Sequence, residues 1–219
     1  MRTNQEYKNE ALAALKGKWA PSVVASIVMY AVAFAAIIVA IVVEAAFGNV
    51  DAEESSIVSI LVLYGFVYLI FYPLSMVGYT NAMKVLYETG DDKVTSNMFS
   101  FTFDRFPKNL GFCLLYVIFV FLWALLLYIP GIIKGFAYML SPYILKDNPE
   151  LSANEAINLS QKMMKGHKFD LFWLMLSFIG WGILGIFTLG IGYLWLMPYM
   201  YTALAAFYQD VKKEYLTNN

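Results

Sequence analysis

Of 219 residues, 60% are hydrophobic and 17% aromatic while only 14% carry charge, a balance far from that of a water-soluble domain. The formal net charge is −1, and the single cysteine, Cys113, excludes an intramolecular disulfide and leaves the redox compartment open. The composition points to a chain that lives in a bilayer, and no nucleic-acid partner is expected.

The first element in chain order is short. Thr3 with Glu6 three residues later has the form of a capping box, and Lys16-Gly17 closes the segment. An apolar run from Ala20 to Phe47 follows. Its stretch from Val23 to Val43 contains no charge and exceeds the roughly 7 to 15 residues of a secretory signal core, so a retained first spanning helix is expected. Further apolar runs cover Ile57 to Tyr79, Leu110 to Ile129, Ile132 to Leu145, Leu171 to Leu189 and Ile191 to Tyr208. Most approach the ~20 residues that a spanning helix needs. The expected fold class is therefore all-α: a polytopic membrane helix bundle of about six transmembrane helices with short amphipathic interfacial helices. The fourth run is short and carries Lys134, which fits a re-entrant segment as well as a span.

Between the fourth and fifth runs lies KDNPELSANEAINLSQKMMKGHK, Lys146 to Lys168. Asp147-Asn148-Pro149 is turn chemistry, Ser152 and Glu155 form a second capping box, and Gly166 is suited to end the helix. Apolar positions from Ala153 to Met164 recur at helical spacing, with polar residues on the other side, which predicts an amphipathic helix on the inner leaflet or against the bundle.

Setting Thr3 on Ser152 also superimposes Asn9 on Asn158 and Lys16-Gly17 on Lys165-Gly166. A weaker copy starts at Thr95, with Phe99, Phe103 and Phe106 as its apolar face and Lys108-Asn109 at its end, although Pro107 forbids a regular last turn. The expected organisation is one integral membrane domain over 1–219, with repeat units at 1–88, 93–147 and 150–211. Pro73, Pro142 and Pro198 fall in the second helix of each hairpin and are candidate kinks.

Fourteen of the fifteen Lys and Arg residues precede the first run, follow the last, or lie in the loops after the second and fourth. The opposite loops, GNVDAEESS, Tyr128-Ile129-Pro130-Gly131 and TLGIG, contain acids and no cation. The positive-inside rule then places both termini in the cytoplasm.

The run from Ile129 to Val211 resembles the bacterial membrane proteins of the domain of unknown function 975 family. The resemblance rests on PGIIK, DNPELSA, MKGHK, LSFIGW, LGIG and the Pro-Tyr of the last helix, together with ALKGKW before the first run. It implies a six-helix domain of the bacterial cytoplasmic membrane and brings no catalytic residue or cofactor.

Candidate sites follow from physics alone. Glu44 and Lys134 are intramembrane charges near the outer surface, able to form a pair around a zwitterion or proton pathway or to snorkel to the interface. Lys162, Lys165, His167 and Lys168, with Lys16 and Lys18 at the first helix, are candidate contacts for anionic lipid headgroups on the cytoplasmic face. A metal site would need several converging ligands, and the only His and the only Cys lie far apart in the chain. Gly180, Gly182, Gly185, Gly190 and Gly192 suit close helix packing or dimerisation. No hydrolase or phosphate-binding motif occurs. The expected role is a non-catalytic accessory or membrane-organising component that binds lipid, a membrane-protein partner or another copy of itself. The alternative is a small-molecule or lipid transporter with its pathway near Glu44 and Lys134.

Overall fold

The computed structural model describes residues 2–47, 53–126 and 128–218. All regular structure among them is helical: α1 (Asn4–Leu15), α2 (Trp19–Phe47), α3 (Glu53–Thr89), α4 (Val94–Phe103), α5 (Phe106–Leu126), α6 (Tyr128–Tyr138), α7 (Ser141–Asp147), α8 (Ala153–Met163), α9 (Lys168–Leu176), α10 (Ile179–Phe187) and α11 (Tyr193–Asn218). Among the described residues two stretches, Phe106–Trp123 and Lys168–Phe187, are long and apolar enough by length and composition to cross a membrane. Most of the acidic loop before α3 lies outside the described residues.

The two capping boxes form as their residues dictate. Thr3 accepts from the Glu6 amide while the Glu6 carboxylate takes the Thr3 amide, and Ser152 and Glu155 do the same at the start of α8. Gly17 and Gly166 then adopt positive φ, of 76° and 94°, which lets the chain turn sharply after each helix. The α8 helix stops earlier than its Gly166, with Met164 as its C-cap. With Thr3 set on Ser152, buried Tyr7, Ala11 and Leu15 of α1 fall on Ala156, Ser160 and Met164 of the α8 segment, which are buried too.

The copy expected from Thr95 differs. Helix α4 starts at Val94 without a side-chain cap, and Val94, Met98 and Thr102 form its buried face, while Phe99 and Phe103 are 45% and 55% exposed. Packing against α3 decides this register. Gly78 of α3 lies so close to the Thr102 hydroxyl and the Met98 carbonyl that a Cβ there would collide with both. Lys108 and Asn109 are not a helix end but belong to α5, with Pro107 in its first turn, where a missing amide costs nothing.

The three candidate kinks behave differently. Helices α3 and α11 continue through Pro73 and Pro198, whereas the chain is interrupted between α6 and α7, with Pro142 at the start of α7. Ser141 donates to the Tyr138 carbonyl at 2.6 Å, satisfying the acceptor that Pro142 cannot. The segment Tyr128–Gly131, expected as a turn, is helical and belongs to α6. The fifth run is divided as well, into α9 and α10 around Ser177 and Phe178.

Buried side chains form one cluster to which α10 adds little. Ser26 of α2 and Tyr79 of α3 share a hydrogen bond of 2.7 Å inside it, and Tyr79 meets Tyr201 of α11 edge to face. Helix α3 extends ten residues beyond Tyr79, so its end stands beside the ends of α7 and α11. At the opposite end, Gly185 and Gly192 bring α10 and α11 together in a tight turn that also holds Leu189 and Gly190 at positive φ.

Candidate functional site

The shared end of α3, α7 and α11 concentrates the charged groups. Asp147, the last residue of α7, accepts from Lys84 of α3, from Lys212 at 2.5 Å and from the Tyr208 hydroxyl at 2.8 Å. The Lys84 side chain is only 3% exposed and has a second acid, Glu88, at 3.6 Å. Burial works against the charged form of Asp147, but the hydrogen bonds from Lys212, Lys84 and Tyr208 outweigh it and hold its carboxyl below the ordinary range.

A second network fastens the N-terminal helix. The Arg2 guanidinium grips Asp210 of α11 through two bonds of 2.7 and 2.6 Å, and Tyr7 donates to the same carboxylate at 2.8 Å. Arg2 also pairs with Glu10, whose other oxygen accepts from Tyr87 of α3 at 2.7 Å. Asp210 too is held below its ordinary pKa: burial opposes ionisation, and the bonds from Arg2 and Tyr7 prevail.

Beside these networks lie two neighbouring cavities with a common wall of Val77 and Pro142. One, of about 270 Å³, is almost wholly apolar, with Met76, Met139, Met175 and Met200 in its lining together with Cys113 and Tyr201. The other, of about 240 Å³, is lined by Asn81, Asn109, Asp104, Arg105 and Lys146. Asn81 is 2% exposed. Its amide nitrogen donates to the carbonyls of Val77 and Pro142, and its Oδ1 has no hydrogen-bond donor. An orphaned buried acceptor of this kind costs about 1–3 kcal/mol.

The structure distributes the sequence-derived candidates among several places. Lys134 does not pair with Glu44. Its ammonium donates to Gln161 of α8 at 2.9 Å and lies 4.7 Å from the centre of the Trp123 ring, because α8 packs against α6, where Ser160 also donates to the Ala137 carbonyl. Glu44 is half-buried near the far end of α2, with no ion pair among the described residues. Lys162, Lys165 and His167 border one cleft together with Glu214, and His167 stands between Asp170 and Glu214, 3.3 Å from each. Lys168 is half-buried beside them, Lys16 is exposed, and the Lys18 ammonium lies over Gly90. Among the described residues no group of three or more His, Cys, Asp or Glu is placed to hold a metal ion.

Sequence reasoning missed Lys84, Asn81 and Arg2. A signal existed for the first two: from Tyr79 to Thr89 there is neither Gly nor Pro, so nothing stops the helix where its apolar character fades. Nothing local marks Asp210 as the partner of Arg2.

Residues 125–215 match the family model described as Protein of unknown function (DUF975). Over that stretch the chain is similar to the DUF975 family. No curated protein and no solved structure matches it. The DUF975 segment contributes Asp147, Tyr208, Asp210 and Lys212, while Arg2 and Lys84 come from the residues before it. Both cavities likewise straddle its boundary: Met139 and Pro142 lie inside the DUF975 segment, and Val77, Asn81 and Cys113 outside.

Proposed function

We propose that the protein is a multi-pass component of the bacterial cytoplasmic membrane, with both termini in the cytoplasm, that acts without catalysis by organising lipid or a membrane-protein partner. The observation that carries this reading is the separation of its surfaces. Large apolar side chains face outward along α2, α3, α5 and α10, including Phe34, Leu61, Phe121 and Phe187, the last 81% exposed. The ion networks gather instead at the common end of α3, α7 and α11. Water penalises the first surface and favours the second, whereas a bilayer with one polar boundary accommodates both. Lys162, Lys165 and Lys168 would then lie near anionic headgroups.

The transporter alternative loses its best pair, since Lys134 is occupied by Gln161 and Trp123. The test is an alkaline wash of membranes containing the full chain, followed by labelling with an impermeant thiol reagent. In a Cys113→Ala background, Ile191→Cys should react from outside intact cells and Asn158→Cys only after the membrane is opened. Release of the protein by the wash, or the reverse labelling pattern, overturns the reading.

A further inference from the structure

We propose that the two neighbouring cavities form one binding site for an anionic amphiphile with a hydroxylated phosphate head. The head would lie beside Asn81, Arg105 and Lys146, and the hydrocarbon chain among Met76, Met139 and Met200. This deepens the membrane reading above and rests on it for the source of the ligand.

Asn81 supplies the first argument. Its amide nitrogen faces two carbonyls, from Val77 at 3.0 Å and Pro142 at 3.3 Å, so the side chain cannot be turned over without setting oxygen against oxygen. Its Oδ1 is thereby fixed as a buried acceptor lacking a donor. The nearby Asn109 amide cannot help, because it donates to the carbonyls of Phe101 and Thr102. A ligand hydroxyl would complete the site after a small shift of the lining, since Oδ1 has almost no accessible surface.

Charge supplies the second argument. Two cations, Arg105 and Lys146, line the polar cavity against one acid, Asp104, which already accepts from Ser100 at 2.5 Å. The Lys146 ammonium rests 3.9 Å from the centre of the Phe101 ring. Lys146 is largely exposed; partial desolvation, and then repulsion from Lys84, lower its pKa, and a phosphate would offset the repulsion.

Adjacency to the apolar cavity turns an anion site into an amphiphile site. Val77 and Pro142 line both spaces, so a head in one stands a single side-chain layer from the other. Four methionines line the apolar side. Their unbranched, polarizable side chains adapt to a flexible hydrocarbon better than a rigid branched lining would.

The test is native mass spectrometry of the full-length protein with dioleoyl phosphatidylglycerol, with phosphatidylcholine, and with glycerol phosphate, which has the head without the chain. One phosphatidylglycerol should remain bound, preferred over phosphatidylcholine by about thirtyfold, the factor two cations near an anionic lipid supply together. Arg105→Gln with Lys146→Met should abolish the preference, and Cys113→Trp should abolish retention of the lipid. Equal retention of the two lipids, a preference that survives the charge substitutions, or glycerol phosphate competing as well as the lipid overturns the proposal. A site filled by water alone gives the first of these results.

Alkylation of Cys113 in the unsubstituted protein gives a readout that needs no folded variant. Phosphatidylglycerol should slow its reaction with N-ethylmaleimide about tenfold, and an unchanged rate is a negative result for the site. If these tests fail while the protein stays in alkaline-washed membranes, only the site is wrong; release by the wash removes the membrane reading as well.

Discussion

Replacing Asp147 by Asn tests whether the ion network at the end of α3, α7 and α11 holds the bundle together. The substitution keeps the shape of the side chain but removes the charge that faces Lys84 and Lys212. Lys84 is the group that suffers, since its side chain is 3% exposed and its amine cannot reach bulk water. Removing one partner from a fully buried pair costs about 3–5 kcal/mol. Two features of this site reduce the figure: Asp147 is itself 16% exposed, and Glu88 lies 3.6 Å from Lys84 and offers partial compensation. A loss of about 2–4 kcal/mol is expected for Asp147→Asn. Lys84→Met with Asp147→Leu should recover most of it, because a fitted apolar pair is often no worse than a buried ion pair. The measurement is unfolding in detergent micelles at constant pH and salt, for Asp147→Asn and for the double-mutant cycle of Lys84→Met, Asp147→Leu and their combination. Additive single effects, or a change below about 0.5 kcal/mol for Asp147→Asn, would refute the reasoning, because a surface position behaves that way.

Gly78→Leu should cost about 1–3 kcal/mol by forcing α4 from α3, whereas Gly135→Ala, whose added methyl meets open space, should be neutral or slightly stabilising in the same unfolding assay. Asp147 and Asp210 have folded pKa values below the ordinary 3.8, so each contributes stability that is complete above that value and disappears as pH falls through its folded value. Unfolding should therefore change little from pH 7 to 5 on their account and become markedly easier below about 4. Asp147→Asn should flatten that acid limb, and an unaltered limb contradicts the assignment. Arg2→Met should free α1 from α11, costing about 1–3 kcal/mol through the lost charged hydrogen bonds to Asp210. Faster amide exchange confined to α1 is the signature of that release, and unchanged protection there would mean that Tyr7 and Leu15 alone hold the helix.

The features legible in the chain alone are local or compositional. Thr3 with Glu6 and Ser152 with Glu155 cap their helices because the interacting groups are three residues apart, and Gly17 and Gly166 take positive φ because the chain must turn there without a Cβ. Helical content followed from the long apolar runs in the same way. Tertiary structure decided everything that depends on residues far apart in the chain. The register of α4 is fixed by Gly78 on another helix, which overrides the apolar face that Phe99 and Phe103 suggest. Lys134 looked like a partner for Glu44 because both precede or follow outer loops, but a helix folding back from Ser152 brings Gln161 to it instead. Lys84 meets Asp147 only because α3 outlasts its apolar stretch, and Asn81 is left with an unused acceptor only because α7 starts at its other side. Capping and turn energies act within a few residues and are written in order along the chain, whereas a buried charge or amide acquires its meaning from the helix that packing sets against it.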